Sequence, residues 1–169
     1  GRKYGVLLGL ISQRPSELSE TSLSQCNNFL IFKMLHPVDV EYIRKMVAKI
    51  NTLKQGDPSD MSTDIGCLVS EEAAIEVERQ VNETVKEGAN IVCGGHRDGA
   101  FYEPTILDNV TRDMAVAKDM EIFGPVVAIT KADNFEQAIA IANNTEYGLT
   151  GAVITSNRMN QEYAREEFH

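Results

Sequence analysis

The sequence predicts an α/β protein of three layers, a largely parallel sheet with flanking helices. Short apolar runs alternate with amphipathic helical stretches along the chain. No internal repeat or low-complexity segment interrupts that alternation, so it reads as one domain. At 169 residues the chain is long enough to bury a real core.

Gly5–Ile11 is apolar and reads as a strand. Arg2 and Lys3 ahead of it faintly echo a secretion signal, but the run is short and no small-residue cleavage site follows. The Ser- and Glu-rich stretch 12–24 has no clear period, and Phe29–Phe32 reads as a second strand. Val40, Ile43, Val47, Ile50 and Leu53 recur at helical spacing, predicting a helix over Val38–Lys54 behind Pro37. Gln55–Val69 is a polar loop.

Ser70 reads as an N-cap, with Glu71 and Glu72 in the first helical turn, where the dipole favours acids. Ala74, Val77, Val81 and Val85 form that helix's apolar stripe, and Gly88 closes it. The glutamates at 71, 72, 76, 78, 83 and 87 read as a solvated face. Asn90–Cys93, Tyr102–Leu107, Pro125–Thr130 and Thr150–Thr155 are strand candidates. Asp133 with Glu136 resembles a capping box for a helix through Ala142, and helical composition returns after Asn157.

A net charge of −9 repels phosphate backbones and anionic membranes, and the absence of Trp argues against a base-stacking platform. Cys26, Cys67 and Cys93 are sparse and unpaired, which reads as reduced thiols in a cytoplasmic setting. His36, His96 and His169 have no ligand spacing, so no metal site is expected. Gly94-Gly95-His96-Arg97-Asp98-Gly99 lacks the GxGxxG spacing of a phosphate cradle.

Six stretches occur in one order: Gly56-Asp57-Pro58 with Thr63-Asp-Ile-Gly66; Leu68-Val-Ser-Glu-Glu-Ala-Ala74; Glu87-Gly-Ala89 with Gly94-Gly95; Phe101-Tyr-Glu-Pro-Thr-Ile-Leu107; Met120-Glu-Ile-Phe-Gly-Pro-Val126; and Ala140-Ile-Ala-Asn-Asn-Thr-Glu-Tyr-Gly-Leu149. Together they resemble the catalytic domain of the aldehyde dehydrogenase superfamily. That resemblance implies NAD or NADP as cofactor and a small-molecule aldehyde as substrate. Glu121 matches the glutamate that bonds the nicotinamide ribose, and Phe123 the phenylalanine packed against the nicotinamide.

Family chemistry needs a cysteine that attacks the aldehyde; a thiol is nucleophilic near neutral pH and its thioester is easily cleaved. Cys26 is the candidate, standing 30 residues before Gly56, a separation similar to the family's. His36-Pro-Val-Asp-Val-Glu-Tyr-Ile43 follows the family pattern with departures at Asp39 and Val40. Leu23-Ser24-Gln25-Cys26 departs from the usual "G-Q-x-C". Cys67 and Cys93 read as inert packing thiols.

Residues 1–25 match the family poorly, and the resemblance covers 26–169, roughly a third of a full-length enzyme. The family's general base and most cofactor contacts belong to a preceding dinucleotide-binding domain, so the isolated chain is expected to be inactive. Gly1 in place of Met points to a fragment or processed chain. Family members are homodimers or tetramers; this chain is expected to be a monomer. The end of the chain leans toward glutamate-semialdehyde (pyrroline-carboxylate) dehydrogenases, the middle toward lactaldehyde and succinate-semialdehyde types. A non-catalytic binding domain and a CoA-acylating relative remain alternatives.

Overall fold

In a computed structural model, the described residues are 8–12, 28–32, 38–147 and 150–169. Strands β1 (Leu8–Ser12) and β2 (Asn28–Phe32) precede helix α1 (Val38–Ile50) and helix α2 (Glu71–Lys86). Strand β3 (Asn90–Cys93), the hairpin of β4 (Arg97–Asp98) and β5 (Phe101–Tyr102), and strand β6 (Thr105–Val110) follow. A 3₁₀ turn (Ala115–Ala117) leads to β7 (Val126–Ala132), helix α3 (Phe135–Ala142), β8 (Thr150–Ile154) and helix α4 (Arg158–Glu167).

The main sheet has the order β3-β6-β7-β2-β1-β8. Every ladder is parallel except β3–β6. Strands far apart in sequence are thus neighbours, as β2 with β7, where Phe29 faces Ile129 in register. Parallel neighbours require long crossovers, and helices supply them.

Alternation along β6 and β7 sends side chains to two faces. Ile106, Val127 and Ile129 meet Ile43, Met46, Val47 and Ile50 of α1 on one face. Leu107, Val126 and Ala128 meet Val77 and Val81 of α2 on the other. Helices α3 and α4 share a cluster with Ala132 and Val153, built on Phe135, Ala138, Ile139 and Ala164. The two faces are therefore covered by different helices, as the predicted layering requires. The ring of Phe168, just past α4, lies over bare backbone of β8: a Cβ on Gly151 would collide with its Cζ. At the opposite margin, β3 leaves Ile91 40% and Val92 39% exposed, with no strand on its outer side among the described residues.

Several local expectations need correction. Helix α1 stops at Ile50, because Thr52 N–H bonds Lys49 O and Leu53 N–H bonds Ile50 O in a tightened last turn. In α2 the fourth buried residue is Thr84, not Val85; its hydroxyl donates to Gln80 O at 2.9 Å. The Tyr102–Leu107 run is broken at Glu103-Pro104 into two strands, since proline lacks the N–H a ladder needs. Helix α3 is capped by Asn134, whose Oδ1 accepts Gln137 N–H at 2.8 Å, one residue later than expected. The Gln137 side chain answers by accepting from the Asp133 N–H.

The glutamates of α2 are not uniformly solvated either. Glu76 and Glu83 pair with Arg79, and Glu71 and Glu78 with Arg97. Among the described residues no helix is long and apolar enough to cross a membrane.

Candidate active site

The candidate site centres on the turn from the 3₁₀ segment into β7, residues 119–125. Its path follows from alternating anchors. Met120 N–H bonds Ala115 O at 3.0 Å, closing the turn before it. Ile122 is buried in the α2 cluster. Gly124 N–H reaches Ile122 O at 2.9 Å, Val126 N–H reaches Gly124 O at 2.8 Å, and Pro125 O accepts from Thr105 N–H at 2.9 Å.

Gly124 lies directly on α2. A Cβ there would fall 2.8 Å from Val77 Cγ2 and 3.1 Å from Cγ1, so only glycine lets the turn approach the helix this closely. One turn further along α2, Gln80 Nε2 donates to Glu121 O at 3.0 Å.

The consequence is a fixed turn with an unburied aromatic. Phe123 is 65% exposed although Ile122 beside it is buried. A phenyl ring held in water forgoes about 2 kcal/mol of burial. Glu121 is half-buried, and among the described residues no side chain bonds its carboxylate. The two sequence-predicted cofactor residues thus share one hydrogen-bonded turn. Cys26, the predicted nucleophile, lies outside the described residues.

The other two thiols are described. Cys67 is exposed, contrary to its expected packing role; it sits in the loop between α1 and α2. Cys93 is half-buried at the end of β3, and burial pushes its thiol above the ordinary value. Among the described residues no group of three or more His, Cys, Asp or Glu is placed to hold a metal ion.

Asp119, which no sequence motif singles out, begins the turn. Its Oδ1 accepts from Thr145 Oγ1 at 2.9 Å and Glu146 N–H at 2.7 Å, and these bonds hold its carboxyl below the ordinary carboxylate value. Gln80 carries no sequence signal either, since only the folded chain brings α2 against residue 121. Two shallow pockets lie elsewhere. One of about 340 Å³ is lined by Gln55, Gly56, His96, Asp98, Phe101 and Glu103. The other, about 270 Å³, has Arg112, Lys118, Gln137 and Asn144 among its walls.

The aldehyde dehydrogenase family model matches residues 27–169. The 1-pyrroline-5-carboxylate dehydrogenase of Geobacillus sp. (strain WCH70) is 42% identical over 149 residues, 86% of this chain and 28% of that protein. The chain therefore spans less than a third of the length of this curated relative. Among solved structures, glyceraldehyde-3-phosphate dehydrogenase from Methanocaldococcus jannaschii complexed with NADP superposes with a TM-score of 0.85 at 30% identity, covering 97% of this chain and 38% of that one. The 1-pyrroline-5-carboxylate dehydrogenase from Thermus with bound NAD gives 0.82 at 26% identity, covering 98% and 34%. With the matched stretch spanning most of its length and the fold following it, this chain belongs to the aldehyde dehydrogenase family.

Proposed function

We propose that this chain is the catalytic portion of an NAD- or NADP-dependent aldehyde dehydrogenase. The single observation carrying the reading is the turn that keeps Phe123 in solvent while fixing its backbone on α2. An exposed ring on a hydrogen-bonded turn suits stacking against a planar nicotinamide. The carboxylate of Glu121, two residues away and bonded by no side chain among the described residues, suits a pair of ribose hydroxyls. These residues fit the nicotinamide end of the cofactor, which supplies a hydride acceptor when bound.

The remaining chemistry is assigned to Cys26. Its thiolate adds to the aldehyde carbon, giving a thiohemiacetal. Loss of hydride from that carbon leaves a thioester on the sulfur. Water then cleaves the thioester, releasing a carboxylate and restoring the thiol. The substrate we favour is glutamate semialdehyde, supported by the likeness to 1-pyrroline-5-carboxylate dehydrogenases. We place the protein in the cytoplasm, a setting that suits its free thiols. By itself the chain is proposed to be monomeric, with mutual repulsion from its −9 charge.

The test joins this chain to the dinucleotide-binding segment of the Geobacillus relative and follows NAD(P)H formation with glutamate semialdehyde. Turnover abolished by Cys26→Ala and retained by Cys67→Ala supports the reading. A joined protein that binds NAD or NADP yet forms neither reduced cofactor nor an acyl adduct on Cys26 overturns it.

A further inference from the structure

We infer that Gln80 and Asp119 are positioning residues, holding the Glu121–Phe123 turn from two sides in the geometry that meets the cofactor; the inference rests on the cofactor reading above. Gln80 acts from helix α2. Its amide donates to the Glu121 carbonyl across 41 positions of sequence, and it does so one helical turn from Val77, against which Gly124 is seated. These two points fix the backbone on both sides of Ile122. Asp119 acts from the other side. Its one carboxylate oxygen accepts both the Thr145 hydroxyl and the Glu146 N–H, joining the start of the turn to the segment that leads into β8.

The two ties are complementary in chemistry. Gln80 supplies a donor to a backbone acceptor that no ladder uses, and Asp119 supplies a charged acceptor to a backbone donor past the end of α3. Between them, Phe123 is the exposed part of a backbone that can shift little. A ring that must meet a flat partner loses little freedom on binding when its mount is already fixed. Without the ties, the Glu121 peptide would be held only by its neighbours, the Met120 N–H on Ala115 O and the buried Ile122 side chain.

The chain contains no tryptophan, so Phe123→Trp places a single fluorescent reporter at the tip of the turn. Time-resolved anisotropy then reads local motion on the nanosecond scale. Gln80→Glu keeps the shape and removes the donor; Asp119→Ala removes the acceptor; Asp119→Asn keeps an acceptor and serves as the rescue. In the reporter background, the amplitude of the fast component should rise in Gln80→Glu and in Asp119→Ala and return in Asp119→Asn.

In the joined enzyme with Phe123 restored, Gln80→Glu should raise the KM for nucleotide about three- to tenfold, the share of one hydrogen bond, while kcat at saturating nucleotide is kept. Unchanged anisotropy in both variants overturns the inference. Should Gln80→Glu fail to fold, Asp119→Ala, at an exposed residue, decides the same point. Loosened anisotropy with a nucleotide KM that does not respond even to Glu121→Ala upholds the clamp and overturns the cofactor reading of the turn.

Discussion

Arg97 in β4 ties the β4–β5 hairpin to helix α2. Its Nε donates to Glu78 Oε2 at 3.1 Å, and its Nη1 donates to Glu71 Oε1 at 3.2 Å and to Gly99 O at 3.2 Å. Both carboxylates come from the helix, two turns apart on one side, and they hold the guanidinium in its charged form. Arg97→Gln should lower the melting temperature modestly in dilute buffer. Because the pairs are partly open to water, that difference should shrink as salt approaches molar concentration. A difference indifferent to salt would mean that packing of the arginine stem, not charge, fastens the hairpin.

The cap of helix α3 separates two readings of one short stretch. The structure gives the role to Asn134 and the reciprocal role to Gln137. Asn134→Ala should therefore cost about 1 kcal/mol, a fall of about 2–4 °C in melting temperature for a domain of this size. Asp133→Ala and Glu136→Ala should each leave it nearly unchanged. Differential scanning calorimetry on the three variants decides the matter, and equal losses would contradict the assigned cap.

How far the sequence was legible depends on the range of the interaction. The Ser70 cap and the Ala74, Val77 and Val81 stripe were readable because they obey spacing within one helix. The break at Glu103-Pro104 was readable in principle from proline, but the apolar residues around it masked it. Arg97 pairing with glutamates 19 and 26 positions earlier leaves no periodic trace, so those glutamates looked free. Glu121 and Phe123 stood out only through a motif, and Gln80 had no motif at all. Cys67 misled because free cysteines are usually buried.

The thiols should separate by rate. Cys67 is open to solvent, so iodoacetamide should modify it at the pace of an ordinary exposed thiol. Cys93 carries a raised value and is half-buried, so at a given pH less of it is thiolate and it should lag well behind. An activated Cys26 should outrun Cys67 and keep its advantage below pH 7, where an ordinary thiol is almost wholly protonated. Peptide mass spectrometry over a time course reads all three. Cys26 reacting no faster than Cys67 would argue against activation.

Acid should act on Asp119. Its carboxyl is held below the ordinary value of 3.8 by the Glu146 N–H and the Thr145 hydroxyl. A group lowered in the folded state contributes its stability above the unfolded value and loses it as pH falls through the lower, folded one. The segment 144–147 should thus stay fastened at neutral pH and loosen only below about pH 4. Urea midpoints measured from pH 7 to pH 3 should fall less steeply in Asp119→Asn, which keeps an acceptor but cannot titrate. Parallel slopes for the two proteins would rule out Asp119 as the acid-sensitive group.

Strand β3, the antiparallel edge of the main sheet, forms a rim that no strand covers among the described residues. Its outer backbone positions, unpaired by any strand among the described residues, lie beside the half-bared side chains of Ile91 and Val92. Such a rim invites a second strand from any neighbouring molecule. The acidic charge of the whole chain, −9 in all, keeps copies apart at low ionic strength. Added salt that screens the charge removes that restraint, so storage at low salt, or the substitution Val92→Lys, is the practical safeguard against fibrous precipitate.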